Sequence, residues 1–99
     1  MRIYVDDTRS APKDFILANN YKDAINIINR NKDDIDCLSL DHDLGGNKSG
    51  YDICLYLVEN EIFPKEINLH SANPVGVKNM YQLLDRYMPK NIKITRKSL

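Results

Sequence analysis

Several features that commonly reveal a protein's partners are absent from this sequence. Its 99 residues include no tryptophan, only two cysteines, four glycines and four prolines. Acidic and basic side chains balance at 14 each, so no net charge attracts the chain to DNA or to a membrane surface. No apolar run approaches the roughly 20 residues that a membrane span requires. We therefore expect no DNA or membrane partner, and any ligand must be recognised by a few local residues.

The two cysteines, Cys37 and Cys54, lack the paired spacing of a metal-binding motif. Each lies in a periodic apolar segment, which favours reduced structural thiols over a disulfide. The sequence opens on a strand-like segment rather than on a signal peptide. These features predict a cytoplasmic protein, and the length predicts a single domain over residues 1–99.

Short apolar or alternating segments bounded by polar residues predict five strands. They are Arg2–Val5, Phe15–Ala18, Cys37–Leu40, Glu66–Leu69 and Asn91–Thr95. Segments with helical spacing fall in the last three intervals between these strands. The first helix contains Tyr21 and Ile28 after an Asn20 cap, the second runs from about Tyr51 to Asn60, and the third follows Asn73 and Pro74 and ends before Pro89. This order predicts an α/β fold with a mainly parallel five-stranded sheet.

The two faces of this sheet are expected to differ. Right-handed crossovers that advance in one direction place their helices on one face, and all three helices can do so. The strands alternate, as Ile3 and Val5 do with Tyr4, whereas strands buried on both faces are continuously apolar. We therefore predict helices largely on one face and a semi-polar open face that is either solvated or covered by a second copy of the chain. Thr8–Asp14 is too short for a crossover helix, and the direction of the strand after it stays open.

Acidic residues follow the ends of two predicted strands. Asp6 and Asp7 follow the first strand, while Asp41 and Asp43 follow the third. In open parallel sheets, ligands bind beyond the carboxyl ends of the strands where the connections change direction, here between the first and third strands. Placing two carboxylates within ~4 Å costs roughly 4 kcal/mol at an effective dielectric near 20. The sequence therefore predicts either a divalent cation or a raised carboxylate pKa.

This pattern resembles a response-regulator receiver domain, with paired acids after the first strand, an acid after the third, and a hydroxyl followed by alanine after the fourth. The resemblance implies that Asp6 and Asp7 bind metal, that Asp41 is the phosphoacceptor, and that Ser71 contacts the phosphate. It also implies a flavodoxin-like fold and a magnesium ion, with manganese as the alternative. That ion would be held by Asp6 or Asp7, by Asp41 and by the carbonyl of Asp43.

The chain departs from the receiver pattern at both ends. The helices expected after the first and the last strand are missing, which gives a reduced fold. Arg96 or Lys97 also stands where the family has a Lys-Pro pair. Both missing helices share one face, in agreement with the open sheet face predicted from the strands.

Two longer strings, Asp41–Gly45 (DHDLG) and His70–Gly76 (HSANPVG), are similar to a divergent branch, the cyclic-phosphate processing receiver domains. The similarity implies metal-dependent processing, by hydrolysis or phosphoryl transfer, of cyclic phosphates on nucleotides or RNA ends. Two alternatives stand beside it. In the first, the chain is a receiver phosphorylated on Asp41; in the second, it is a degenerate receiver that serves as a protein-interaction module.

Opening a cyclic phosphate requires a proton for the departing sugar oxygen, and imidazole suits that transfer near neutral pH. His42 and His70 are the only histidines and both lie beside the predicted site. We favour His70 as the general acid because it ends a strand, and hydrogen-bonded support of the acids is the alternative for either one. Ser71, Asn73 and the amides that begin the third helix are expected to bind phosphate, and Asn73 also suits a cap. Further phosphate-binding candidates are Arg9, Arg96 and Lys97.

Overall fold

A five-stranded parallel sheet forms the centre of the computed structural model, which describes residues 1–99. The strands are Arg2–Val5 (β1), Ile16–Ala18 (β2), Cys37–Leu40 (β3), Glu66–Leu69 (β4) and Lys93–Thr95 (β5). Their spatial order is β2-β1-β3-β4-β5, and every neighbouring pair is parallel. The predicted α/β receiver-like fold is therefore confirmed, and β2, whose direction the sequence left open, runs parallel to β1.

Three helices connect the later strands: Tyr21–Arg30 (α1), Gly50–Glu59 (α2) and Pro74–Tyr87 (α3). Each begins at a side chain that caps its first turn, and these caps are Asn20, Ser49 and Asn73. The Ser49 cap forms a reciprocal capping box with Asp52. None of the three helices has the length and apolar character that crossing a membrane demands.

Three element boundaries differ from the prediction by one or two residues. β2 begins one residue late because the Phe15 amide donates to the Pro12 carbonyl in a turn. β5 begins two residues late because the Ile92 amide donates to the carbonyl of Pro89. α2 begins and ends one residue early, since Ser49 caps it. None of these shifts changes the position of a strand's carboxyl end, where the candidate site lies.

All three helices cover the same sheet face, as the alternation of the strands predicts. Ile3, Leu38 and Ile67 project from β1, β3 and β4 into one cluster of 19 buried residues. Ile28, Leu57 and Leu84 enter the same cluster from α1, α2 and α3. Burying each such side chain contributes ~1.5–3 kcal/mol. The helix layer therefore fixes the sheet from one side and leaves the strand ends free to carry polar groups.

The opposite face is not open over its whole width, and that expectation is wrong for the half near the carboxyl ends of the strands. Tyr4, Ser39, Asn68 and His70 lie there and are at most 3% exposed. The Tyr4 ring stacks on the His70 imidazole with centroids 4.2 Å apart, and the backbone of Lys97 hydrogen-bonds the Asn68 side chain. The chain covers this half with its own residues. Dimerisation through the remaining exposed half stays a prediction.

Candidate functional site

The carboxylates of Asp6, Asp7 and Asp41 meet at the carboxyl ends of β1 and β3. One oxygen from each lies within 4.8 Å of the other two. Asp6 is completely buried, whereas Asp7 and Asp41 reach solvent. The sheet brings these residues together because β1 and β3 are neighbours that end at the same level, with Val5 opposite Leu40. The structure thus places three of the four predicted metal ligands in one cluster.

Asp6 remains ionised within this cluster. Burial by itself would raise its pKa, but hydrogen bonds to the charged form outweigh that effect and hold the pKa below its ordinary value. The amides of Thr8 and Arg9 donate to Oδ1 over 3.0 and 2.9 Å, and His70 Nε2 donates to Oδ2 over 2.9 Å. A raised pKa at Asp6 therefore does not relieve the repulsion among the three acids, and a divalent cation at this cluster stays a prediction.

Asp41 keeps one oxygen available for chemistry. Its Oδ1 accepts a hydrogen bond of 2.8 Å from the amide of His42, and its Oδ2 accepts none. The α2 helix begins immediately behind it, where a side chain at Gly50 would overlap the Asp41 carbonyl. Gly50 is therefore required for the close approach of α2 that holds the loop after β3 in place.

His70 occupies the supporting position, one of the two interpretations given by its sequence. Its side chain is 0% exposed, and both ring nitrogens are bonded, Nε2 to Asp6 and Nδ1 to Ser39 Oγ at 2.7 Å. Burial lowers the pKa of His70 despite the opposing carboxylate of Asp6, so the ring is neutral. Because Asp6 is an ionised acceptor, Nε2 carries the proton of this neutral ring.

His42 is the accessible histidine. Its side chain is 21% exposed and lies against the first turn of α3, where Gly76 leaves room for the ring. Nδ1 donates to Asp43 Oδ1 over 3.0 Å, and Nε2 has no hydrogen-bond partner. This geometry fixes the ring orientation and leaves one nitrogen for a ligand, as a general acid requires.

Asp43 lies outside the group formed by the other three carboxylates. Its carboxylate bonds His42 and also accepts from Asn73 Nδ2 over 3.4 Å. The hydrogen bond from His42 lowers the pKa of Asp43. The Asp43 side chain therefore orients His42, while metal ligation through the Asp43 carbonyl stays a prediction.

The segment between β4 and α3 supplies fewer free donors than the sequence predicts. Ser71 Oγ accepts from the Asn73 amide, and Asn73 Oδ1 accepts from the Gly76 amide, both over 3.0 Å. Pro74 has no amide hydrogen, so the amides of Ser71, Ala72 and Val75 are the ones without a partner here. Asn73 acts as the cap, and phosphate binding at Ser71 and Asn73 stays a prediction.

The three basic candidates occupy different surroundings. Arg9 is closest to the acids, with Nη1 donating to the His70 carbonyl over 3.2 Å and Nε lying 3.9 Å from Asp6. The Arg96 guanidinium packs over the Tyr81 ring at 4.4 Å on the helix side of the sheet. Lys97 attaches to the opposite face through its backbone. Only Arg9 lies beside the carboxylates, so it is the best placed of the three to meet a phosphate.

A groove of about 830 Å³ runs between α2 and α3 and has His42 at the end nearest the acids. Its walls combine apolar, amide and aromatic side chains, among them Tyr51, Leu55, Asn79, Gln82, Arg86 and Tyr87. The volume lies within the usual range for small-ligand sites, roughly 300–1,000 Å³. The groove therefore offers a surface for the part of a ligand that extends beyond the carboxylate cluster.

Sequence reasoning missed Ser39, Asn68 and Thr95, which continue the hydrogen bonds behind His70. Thr95 Oγ1 donates to Asn68 Oδ1 over 2.8 Å, and Asn68 Nδ2 donates to Ser39 Oγ over 3.0 Å. All three project from the face opposite the helices. The available signal was that Ser39 and Asn68 interrupt buried strands two residues before Asp41 and His70.

The neutral His70 predicts acid sensitivity of the metal-free fold. The pKa of His70 in the folded protein lies below its unfolded value of about 6.5, so the unfolded chain binds more protons as the pH falls. The stabilisation that neutral His70 contributes is therefore complete above that pH and is lost as the pH falls. The slope cannot exceed ~1.4 kcal/mol per pH unit for one proton. Urea unfolding in EDTA at pH 7.5, 6.5 and 5.5 should show the decline. His70→Asn should reduce the dependence of the unfolding free energy on pH, whereas the control His42→Asn should retain the His70 contribution. An unchanged pH dependence in His70→Asn would contradict the neutral state of His70.

Comparison with known proteins agrees with the geometry. A family model described as the cyclic-phosphate processing receiver domain matches residues 1–86. That span contains β1 to β4, the three clustered carboxylates and both histidines. No curated protein and no solved structure matches the chain. With the family model covering most of its length, the chain belongs to the cyclic-phosphate processing receiver domains, a receiver family linked to the processing of cyclic phosphates.

Proposed function

We propose that the protein opens cyclic phosphates on nucleotides or RNA ends at the carboxylate cluster, with the help of a divalent metal. The observation that carries this proposal is the accessible His42 beside Asp41, with Nε2 free and Nδ1 fixed by Asp43. A receiver that only accepts a phosphoryl group needs no general acid. Opening a cyclic phosphate does need one, because a sugar oxygen must leave as a hydroxyl.

The residues present fit a hard divalent cation. Asp6, Asp7 and Asp41 offer only oxygen donors, which Mg²⁺ and Mn²⁺ prefer. Asp6 already accepts four hydrogen bonds, from the amides of Thr8 and Arg9, from the Thr8 hydroxyl and from His70 Nε2. Asp7 and Asp41 are therefore the more available ligands. When bound there, the ion would neutralise charge on the phosphoryl oxygens.

The side chains of the chain account for the remaining steps. Asp41 Oδ2 either attacks phosphorus or orients the water that does so, since phosphoryl transfer depends mainly on positioning and charge neutralisation. The bond from phosphorus to one sugar oxygen then breaks, and His42, acting as an imidazolium whose Nδ1–H is held by Asp43, gives its Nε2 proton to that oxygen and regains a proton from the attacking water. Water supplies the new oxygen on phosphorus, so the products are a phosphomonoester and a free sugar hydroxyl.

The groove between α2 and α3 supports a nucleotide or RNA end as the substrate. It begins at His42, the proposed proton donor, and therefore extends from the reacting phosphate. Tyr51 and Tyr87 provide surfaces for base stacking, which contributes ~1–3 kcal/mol per base in single-strand binding. Arg86 lies over the Tyr87 ring at 5.4 Å and places a positive charge at the far end.

The test combines metal titration with product analysis on the full chain. Calorimetry with MgCl₂ and MnCl₂ should show binding, and ³¹P NMR should show a 2′,3′-cyclic nucleotide converted to a phosphomonoester only when metal is present. Metal binding without conversion, together with labelling of Asp41 by a small phosphoryl donor, would replace the proposal by the phosphoacceptor function. Absence of metal binding would leave the interaction module.

A further inference from the structure

We propose that a buried polar relay, formed by Asn68, Ser39 and His70, positions Asp6 for cation binding and couples that site to the segment after β5. The cation part of this inference rests on the proposed function, whereas the relay itself does not. Asn68 and Ser39 are positioning residues in this proposal, since they act on Asp6 through His70 and touch neither metal nor substrate.

The relay is continuous across the sheet. Asn68 Nδ2 lies 3.0 Å from Ser39 Oγ, Ser39 Oγ lies 2.7 Å from His70 Nδ1, and His70 Nε2 lies 2.9 Å from Asp6 Oδ2. Ser39 and Asn68 are 0% exposed and His70 is 3% exposed. Ser39 and Asn68 are direct register partners in β3 and β4. The sheet pairing itself therefore sets the spacing of the first contact.

The direction of every proton in the relay follows from the backbone of Lys97. That backbone donates its amide hydrogen to Asn68 Oδ1 over 3.0 Å and accepts from Asn68 Nδ2 over 2.9 Å. A backbone amide can only donate and a carbonyl can only accept, so Lys97 fixes which end of the Asn68 side chain is oxygen. The second hydrogen of Nδ2 must then go to Ser39.

The remaining hydrogen bonds of the relay lead from Ser39 through His70 to Asp6. Ser39 Oγ accepts from Asn68, so its own hydrogen points to His70 Nδ1, which must be the unprotonated nitrogen. The ring proton consequently sits on Nε2 and is donated to Asp6. Loss of Asn68 or Ser39 removes one of the two causes of this tautomer and leaves only the Asp6 carboxylate to maintain it. The Nδ1–H tautomer would place a lone pair against the Asp6 carboxylate and repel it.

Burial makes each polar group of the relay destabilising unless it is hydrogen-bonded. An amide or hydroxyl removed from water destabilises the fold when its hydrogen bonds are not replaced, whereas an apolar residue at such a position has no hydrogen bonds to lose. Every buried side-chain polar atom here has a partner. A completely satisfied network gives a unique orientation to its members, and partners of metal ligands commonly change metal affinity 10–100-fold.

Two substitutions and two matched controls test the relay. Ser39→Ala removes the hydroxyl between Asn68 and His70, and Cys37→Ala, on the same face of β3, is its control. Lys97→Pro removes the amide hydrogen that orients Asn68, and Ser98→Pro is the control one residue further along the exposed tail. Because residues 96–99 are exposed, the Lys97 pair should fold even if Ser39→Ala does not.

The primary measurement is the His70 tautomer in long-range ¹H–¹⁵N spectra of the metal-free protein, and the second is the Kd for Mn²⁺. We expect the Nε2–H form in wild type, with a detectable Nδ1–H population and roughly tenfold weaker Mn²⁺ binding in Ser39→Ala and Lys97→Pro. The controls should match wild type. Wild-type tautomer and Kd in both test variants would overturn the relay. If wild type bound no Mn²⁺, the metal proposal would fail while the tautomer still decided the relay.

Discussion

The metal-free Asp41→Asn protein is expected to melt at a higher temperature than wild type while losing its affinity for Mn²⁺ and its turnover. Asp41 lies within 4.8 Å of two other carboxylates, and the pKa of one of them, Asp6, is lowered. A like-charged pair at such a distance costs roughly 1–3 kcal/mol, and exposure to solvent favours the lower end of that range. Asparagine retains the acceptor for the His42 amide, so the substitution removes charge without breaking that bond.

These opposite effects separate a functional acid from a structural one. Relief of ~1 kcal/mol corresponds to a rise in Tm of about 4–8 °C for a domain of this size. The Mn²⁺ affinity should fall at least about 100-fold, because one of the two accessible carboxylates is lost. Thermal melts with EDTA and with MnCl₂ measure both effects. Asp33→Asn, which removes an exposed charge outside the cluster, is the matched control and should leave Tm and affinity unchanged.

The contrary outcome is also informative. If Asp41 served only as a turn residue after β3, Asp41→Asn would leave both the Tm in EDTA and the Mn²⁺ binding unchanged, since asparagine forms the same turn. A wild-type Tm that does not rise with MnCl₂ would likewise contradict a metal site at this cluster, since a ligand that binds only the folded state must stabilise it. Either result would move the protein toward the interaction-module alternative.

The sequence predicted the fold well because its strongest signals are local. Alternating residues identify the strands, and caps such as Asn20 and Asn73 locate the helix starts. The cluster of Asp6, Asp7 and Asp41 followed from topology, because neighbouring parallel strands bring their carboxyl ends to the same edge. These inferences required no knowledge of which side chains touch.

Asp43 and Arg96 show where such reasoning ends. Asp43 is two residues from Asp41 in sequence, but the chain has already left the strand and its carboxylate meets His42 outside the cluster, while metal ligation through the Asp43 carbonyl stays a prediction. Arg96 follows β5 as the receiver pattern suggested, yet its guanidinium packs on Tyr81. Both outcomes depend on side-chain direction after a strand ends, which sequence spacing does not determine.

The sequence did not predict the relay because its contacts depend on the register between strands that are far apart in the chain. Ser39 pairs with Asn68, and Asn68 pairs with Thr95, across strands that are separated by whole helices in the sequence. A polar residue in a strand indicates only which face it occupies, and that face was expected to be either solvated or covered by a second copy of the chain. The stacking of Tyr4 on His70 and the bonds from Lys97 turn it into a buried network.

Gly76→Ala is expected to reduce turnover by about 100-fold through displacement of His42. A methyl group at Gly76 would lie 2.6 Å from Cδ2 of His42 and still closer to Cγ. The ring must therefore leave the position in which Asp43 fixes it, and general acid catalysis typically contributes 10²–10⁴-fold. Mn²⁺ affinity should stay within about twofold of wild type, since Asp6, Asp7 and Asp41 do not contact Gly76.

The sign of the stability change provides an independent check. Alanine in a helix is ordinarily ~0.5–1 kcal/mol more favourable than glycine, so a destabilised Gly76→Ala protein indicates the clash with His42. Gly46→Ala is the matched control, because a Cβ there meets no atom within 4 Å, and it should retain wild-type turnover.

A double-mutant cycle with His42→Ala decides whether the effect passes through the imidazole. With the ring removed, the two shortest contacts, to Cγ and Cδ2, are gone and only the His42 Cβ at 2.9 Å remains, so Gly76→Ala should cost much less stability than in wild type and should lower turnover no further. Full additivity in turnover and in the free energy of unfolding would instead mean that Gly76 acts through the start of α3, and that His42 is not the proton donor that its free Nε2 suggests. The cycle therefore tests the proposed general acid through a glycine that has no side chain of its own to take part in the reaction.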